Sequence, residues 1–421
     1  MDALILSCGT GGGHNSAGKA IQEELVRRGH HVTMMNPYIL QSDGLAGRID
    51  NLYIRTVQKA PRAFGAIYCA GELYRKLPFR SPVYHVNAGM ISAMQEYLER
   101  NHFDIVIMPH LFPAEILTNM KHRGMAVPKT VFVGTDYCCI PFTEETDCDA
   151  YVIPASDLKE EYKAKGIPEE RLYPFGIPVS SCFGEERKRN FAQLPIEENI
   201  AFGEQASISG EISSEGQLVV DAAGSRPDRK YILISGGSMG AGKIEELVRL
   251  LLSRQSAMEG CGCGKNVGII VICGNNKDLF DRLKKRYGRQ VIVIGQTNRM
   301  ADYLRACDLY ITKPGGLSST EAAVCGVPLM HMPPIPGCET HNAAYFRERN
   351  MSLLCEVTEK GAEAVLSLLD DRETCAAMAE CQRKYISKEA ASRICGLAER
   401  LAWEPEERQE PVFRLRLGAG A

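Results

Sequence analysis

At 421 residues the chain is too long for one ordinary hydrophobic core, and two domains of about 150–200 residues each are the natural expectation. With 45% hydrophobic and 24% charged residues it has the composition of a soluble globular protein. The net charge of −3 gives no global pull toward nucleic acid or anionic lipid, so any such attraction is local. No stretch approaches the roughly 20 apolar residues of a membrane span, and Met1-Asp2 runs into an apolar strand without the basic start of a signal peptide. A cytoplasmic chain is expected, in which the 16 cysteines are reduced thiols. Neither Cys138-Cys139 nor Cys261-Gly262-Cys263 has a paired zinc spacing, so no structural metal is expected.

Leu4-Ile5-Leu6-Ser7 reads as a strand, and Cys8-Gly9-Thr10-Gly11-Gly12-Gly13-His14 as a glycine-rich turn entering a helix. Ala20, Ile21, Leu25 and Val26 supply that helix's apolar face, Gly29 ends it, and His31 to Met35 forms the next strand. The result is a βαβ unit opening a doubly wound sheet. His14 stands where a dinucleotide fingerprint needs its third glycine, which argues against NAD. At the mouth of a sheet His14 suits a general base, and a purely structural imidazole is the alternative.

Residues 45–90 are locally basic and aromatic: Arg48, Arg55, Arg62, Arg75 and Arg80 alternate with Tyr53, Phe64, Tyr68, Tyr74 and Phe79. Pro61 and Pro78 break the segment into short helices. Such a surface suits peripheral attachment to an anionic bilayer, against the alternative of a helical hairpin packed on the sheet. No nucleic-acid recognition motif accompanies it. Phe103 to Met108 and Lys129 to Val133 are strands ending at Pro109-His110 and Gly134-Thr135-Asp136, where open α/β sheets place their chemistry. Asp136 is a second acid–base candidate, whereas His110 reads as structural. Strands at Ala150 to Ile153 and near Leu172 complete a first domain, expected over residues 1–184. Residues 185–228, rich in Gly, Ser and Glu, read as a linker with a flexible insertion.

The second domain, expected over 229–385, begins with Tyr231 to Ser235 and the turn Gly236-Gly237-Ser238-Met239-Gly240-Ala241-Gly242-Lys243. Ile244 replaces the hydroxyl residue that a Walker A loop needs for Mg²⁺, so an ATPase is not expected. Further strands run into Gly274 and into Gly295-Gln296. Asp308 to Ile311 is a buried strand leading to Thr312-Lys313-Pro314-Gly315-Gly316-Leu317-Ser318-Ser319-Thr320-Glu321. There Ser318, Ser319 or Thr320 is expected to cap a helix running to Cys325. A strand, glycine turn and helix aim free N–H groups and a positive dipole end at one spot, which suits a phosphate. From one turn inside that helix, the Glu321 carboxylate can reach a sugar hydroxyl pair. Residues 386–421 read as a C-terminal helix and polar tail.

The stretches Gly236 to Ala241, Thr312 to Ala322 and Pro334-x-Pro336-Gly337-x-Glu339-x-x-Asn342-Ala343 resemble the donor half of a GT-B glycosyltransferase. Gly11-Gly12-Gly13-His14-Asn15-Ser16-Ala17, Gly134-Thr135-Asp136 and Gly176-Ile177-Pro178-Val179 resemble the monogalactosyldiacylglycerol synthase and processive diacylglycerol glucosyltransferase family more narrowly. That family is glycosyltransferase family 28-like and related to the GlcNAc transferase of peptidoglycan lipid intermediates. The resemblance implies an α/β GT-B fold, two doubly wound Rossmann-like domains facing across a cleft. It implies an inverting hexosyltransferase that uses a UDP-sugar as co-substrate, with no cofactor or essential metal. Its acceptor would be a lipid such as diacylglycerol, and it would work at an anionic membrane surface, peripherally on the inner face of the cell membrane.

By the same resemblance Glu321 binds the ribose, and the turns Gly236-Gly237-Ser238-Met239-Gly240 and Gly315-Gly316-Leu317-Ser318 hold the diphosphate. Gly274, Gly295, Gln296, Lys313, Pro314, Gly337, Glu339 and Asn342 complete the donor site. His14 would activate the acceptor hydroxyl, with Asp136 as supporting or alternative base. Gly12, Gly13, Arg55, Arg62, Tyr68 and Tyr74 would face acceptor and membrane. The chain departs from the family at Cys338, where Gln is usual, and at Ile140-Pro141-Phe142, where a His is usual. A UDP-GlcNAc-type lipid-intermediate transferase, a UDP-sugar 2-epimerase of the same fold and a UDP-binding protein without turnover are the alternatives. The basic aromatic patch speaks against the epimerase, whose soluble substrate needs no membrane face.

Overall fold

The computed structural model describes residues 1–9, 12–42, 44, 61–75, 77–185, 229–260 and 266–403. Expectations for 45–60 with Arg55, for the Arg62 side chain, for the 186–228 insertion and for the tail after 403 lie outside the described residues.

Among the described residues, twelve strands form two six-stranded parallel sheets. The first contains β1 (Asp2–Leu6), β2 (His31–Met35), β3 (Ile105–Met108), β4 (Lys129–Val133), β5 (Ala150–Val152) and β6 (Leu172–Tyr173), in the order β2-β1-β3-β4-β5-β6. The second contains β7 (Lys230–Ser235), β8 (Val267–Ile272), β9 (Ile292–Ile294), β10 (Leu309–Thr312), β11 (Leu329–His331) and β12 (Leu353–Leu354), in the order β12-β11-β10-β7-β8-β9. The central strands are unbroken apolar runs, such as Ile105-Val106-Ile107-Met108 and Ile269-Ile270-Val271-Ile272, because helices cover both faces of each sheet. Strand order reverses between β1 and β3 and between β7 and β10. At such switch points the loops leaving the strands diverge and open a crevice.

The helix Gly12–Arg27 buries Ala17, Gly18, Ala20, Ile21 and Leu25, while Val26, expected on its apolar face, points to solvent. Register decides this: Val26 follows Leu25 by one residue, 100° around the helix. The final helix, Ala390–Trp403, leaves the second domain and packs Ile394, Cys395, Leu397 and Ala398 against Ala3, Ile5, Ile21 and Leu25 of the first. Arg28 fastens it there by donating to Glu399 at 2.9 Å and to the Ser392 carbonyl at 2.8 Å. The core between the halves is continuous, joining Tyr137, Ile177 and Phe183 to Leu317, Ala322, Val324 and Phe346. Both switch points consequently face one cleft.

Candidate active site

The cleft encloses about 130 Å³ and takes its walls from both domains. Gly12, Gly13, His14, Thr135 and Asp136 line one side; Gly237, Ser238, Met239, Lys313, the stretch 315–318, Ile335, Pro336, Cys338 and Glu339 line the other. The turn after β7 folds back on itself so tightly that side chains are excluded. A Cβ at Gly236 would lie 2.3 Å from the Ala241 carbonyl oxygen, and one at Gly240, where φ is +56°, would lie 2.2 Å from that of Cys273. Gly236, Gly240 and Gly274 thus shape the turn, and Gly237, Ser238 and Met239 present it to the cleft. Gly295 is buried and Gln296 exposed beyond β9, and neither reaches the cleft wall.

The helix Gly316–Cys325 starts earlier than its serines suggest. Its N-cap is Gly315, with no side-chain cap bond, and the Ser319 N–H already donates to the Gly315 carbonyl at 3.0 Å. Ser319 and Thr320, expected as caps, lie inside the helix: Ser319 Oγ is 2.9 Å from His331 Nε2, and Thr320 Oγ1 donates to the Gly316 carbonyl at 2.7 Å. The turn Pro314-Gly315 supplies the helical start without a polar cap, so the first N–H groups open on the cleft uncapped by any side chain. That end suits an anion. Lys313 is paired there with Glu339, whose second oxygen accepts from the Ile335 N–H at 3.0 Å. Burial works against the Lys313 charge, but Glu339 beside it prevails and raises its pKa above the ordinary value. Glu321 is half-buried one residue beyond Thr320, behind the cleft wall. Burial pushes its carboxyl pKa up to about 8.

His14 lies in the first turn of its helix. Its Nδ1 stands 2.7 Å from the Pro109 carbonyl and 3.0 Å from Thr135 Oγ1. Donation to the carbonyl puts the proton on Nδ1 and leaves the Nε2 lone pair available. Burial lowers the His14 pKa, with Asp136 and the Pro109 carbonyl opposing it only in part, so the ring is neutral near pH 7. His110 stacks edge-on against it at 4.5 Å and caps the helix Leu111–His122 by accepting the Phe112 N–H at 3.1 Å. Gly12 donates its N–H to Ser238 Oγ across the cleft at 2.9 Å, and Gly13 faces Leu317.

Two expected assignments change. Asn342, expected on the donor, is wholly buried, and its amide is used between the domains: it donates to Asp136 Oδ1 at 2.8 Å and to the Pro314 carbonyl at 3.1 Å, and accepts the Tyr137 N–H at 2.7 Å. Tyr68 and Tyr74, expected to face acceptor and membrane, are half-buried. The Tyr68 ring packs over Gly337, and Tyr74 packs edge-on to Phe142 while donating to the Arg80 carbonyl at 3.2 Å. Arg75 is held by Glu144 at 2.7 Å and by Glu72 at 3.1 Å. Among the described residues there, the large apolar side chains left in solvent are Leu73, Leu77, Phe79 and Val86, exposed by 69%, 50%, 67% and 71%. Of the two family departures, Cys338 lines the cleft, whereas Ile140 lines a small hollow behind His14.

Comparison with known proteins agrees with this geometry. Residues 14–179 match the model of monogalactosyldiacylglycerol synthase, and residues 231–394 match that of the glycosyltransferase family 28 C-terminal domain. The processive diacylglycerol beta-glucosyltransferase of Bacillus subtilis is 27% identical over 374 residues, 88% of this chain and 87% of that protein. The enzyme of the same name from Bacillus licheniformis is 26% identical over 377 residues, 88% of this chain and 87% of its own. Among solved structures, Acinetobacter baumannii MurG superposes with a TM-score of 0.58 at 14% identity, covering 95% of this chain and 99% of its own. The UDP-GlcNAc 2-epimerase of Neisseria meningitidis does so with a TM-score of 0.57 at 12% identity, covering 95% and 100%. At these identities the structures establish the fold, which transferases and epimerases share; the sequence matches separate the two. With the synthase model over residues 14–179 and the family 28 C-terminal model over residues 231–394, the chain is a GT-B glycosyltransferase whose first domain resembles the monogalactosyldiacylglycerol synthases.

Proposed function

We propose that this enzyme transfers a hexose from a UDP-sugar to the hydroxyl of diacylglycerol, with inversion, at the inner face of the cell membrane. The observation that carries the reading is His14 Nδ1 fixed on the Pro109 carbonyl, directly across the cleft from an uncapped helix N-terminus. The ring takes the acceptor proton on Nε2 while the acceptor oxygen attacks the anomeric carbon from the face opposite the leaving group. The bond from that carbon to the diphosphate breaks, and UDP departs with the electron pair. Charge developing on its β-phosphate meets the N–H groups at Gly316–Ser318 and the Lys313 ammonium. In this reading Glu321 accepts the ribose hydroxyls, and Glu339 the hydroxyls of the sugar. Leu73, Leu77, Phe79 and Val86 form the apolar surface that would enter the lipid interface, flanked by Arg80. The names of the Bacillus enzymes support diacylglycerol as acceptor and glucose as donor sugar.

The test is UDP release from UDP-glucose, UDP-galactose and UDP-GlcNAc, with and without diacylglycerol in anionic vesicles. Lipid-dependent release is expected, and His14→Ala should keep UDP affinity while losing transfer. Full turnover by His14→Ala would remove the base assignment; UDP binding without release from any pair would remove the transferase reading.

A further inference from the structure

We infer that Tyr137 is a positioning residue that ties the base-bearing loop of the first domain to the phosphate-facing helix of the second. The inference rests on the donor site proposed above. Tyr137 directly follows Asp136 in the loop leaving β4, yet its ring is only 3% exposed because it enters the other domain. It stacks on Tyr345 at 4.5 Å with an interplanar angle of 23° and meets Phe346 edge-on at 5.2 Å, both from the helix Cys338–Glu348. Its hydroxyl lies 2.8 Å from Thr320 Oγ1, which in turn donates to the Gly316 carbonyl at 2.7 Å. With the Thr320 proton committed, Tyr137 is the donor, giving a relay from the loop to the first residue of the helix. Chains of this kind polarise and stiffen one another in a buried setting.

The neighbouring residues complete the tie. The Tyr137 N–H donates to Asn342 Oδ1 at 2.7 Å, and Asn342 holds Asp136 Oδ1 and the Pro314 carbonyl with its two amide hydrogens. Thr135 stands 3.0 Å from His14 Nδ1. Three consecutive residues therefore touch the base, face the cleft and anchor in the donor half. Ordering of the Gly316–Cys325 helix by a nucleotide diphosphate is transmitted to the acceptor base by the Tyr137 ring and hydroxyl. Tyr137 itself has no place on the cleft wall, so it acts through His14 and the helix and not on substrate.

The experiment compares wild type, Tyr137→Phe and Tyr137→Leu in full-length protein. Hydrogen exchange of peptides spanning residues 130–142 is read with and without UDP, alongside UDP affinity and steady-state UDP release. In wild type UDP should slow exchange in that segment. Tyr137→Leu should bind UDP within about twofold of wild type, lose the slowing and lose about tenfold or more in kcat at little-changed donor KM, the cost of a misplaced base. Tyr137→Phe, which keeps the stack and loses one hydrogen bond, should lose about threefold. UDP binding to wild type without slowed exchange overturns the inference, as does wild-type coupling and kcat in the Leu variant. Equal losses of kcat and UDP affinity in that variant also overturn it, by reducing Tyr137 to a packing residue. Failure of wild type to bind UDP at all refutes the donor assignment and this inference with it, whereas the other outcomes leave the donor assignment standing.

Discussion

Substituting Gly316 by Ala adds one methyl group where the helix start passes close against the 135–136 loop of the other domain. A Cβ there would lie 2.0 Å from the Thr135 carbonyl oxygen, 3.0 Å from its carbon and 3.2 Å from the Asp136 Cα. Carbon atoms rest about 3.5 Å from such neighbours, so the helix start and the 135–136 loop must part by more than about 1 Å. Neither side yields easily: Thr135 is hydrogen-bonded to His14, and Asp136 to Asn342. Overpacking of this kind costs about 1–3 kcal/mol in stability. Displacing a base by about 1 Å from its reacting partner costs about a hundredfold in rate. The expectation for Gly316→Ala is thus a kcat about a hundredfold lower in the vesicle-based UDP-release assay, with a folded protein that still binds UDP. Gly89→Ala, where nothing lies within 4 Å of the new methyl, is the control for mutation as such. A Gly316→Ala enzyme with a kcat within about threefold of wild type would refute the argument, because the domains would then have room the contact denies.

Glu321→Ala should abolish UDP-hexose binding. In wild type burial holds the Glu321 carboxyl at about 8, and it must lose its proton to accept both ribose hydroxyls. UDP-hexose affinity should accordingly fall about tenfold per pH unit below 8, and calorimetry should detect proton release; a pH-independent affinity would contradict the role. Glu115 is fully buried with both carboxyl oxygens unpartnered, and burial pushes its pKa to about 9 from 4.5. A raised carboxyl costs stability that grows as pH rises above the unfolded value, so Glu115→Gln should stabilise the protein by about 3 kcal/mol at pH 7 and by almost nothing at pH 4.5, measured by denaturant unfolding. An unchanged midpoint at pH 7 would sink this account. Replacing Leu77 and Phe79 by Ser removes two half-exposed apolar side chains worth about 2 kcal/mol together at a lipid interface. Binding to anionic vesicles should weaken about thirtyfold with UDP affinity unchanged, and equal vesicle binding would place the membrane face elsewhere.

The local units of this protein are legible in its sequence because they depend on residues near one another in the chain. Apolar runs ended by Gly-Gly turns give the strands and the crevices beyond them, and the glycines at 236, 240 and 316 mark where backbone must pass backbone. His14 could be placed at the cleft on the same grounds, whereas Lys313 is placed there by the family resemblance. The register of a side chain within a unit was less legible: serines inside the Gly316–Cys325 helix look like caps until the fold shows the helix beginning at the glycines. What tertiary structure alone decided lies between the halves. Ser238 meets Gly12 across 226 residues, Asn342 meets Tyr137 across 205, and Thr320 meets Tyr137 across 183. No local propensity encodes such pairs. Asn342 therefore reads as a ligand residue by its motif and becomes a bridge in the fold. Tyr68 and Tyr74 read as a membrane face by composition and in the fold pack, half-buried, on Gly337 and Phe142, while Leu77 and Phe79 beside them stay exposed.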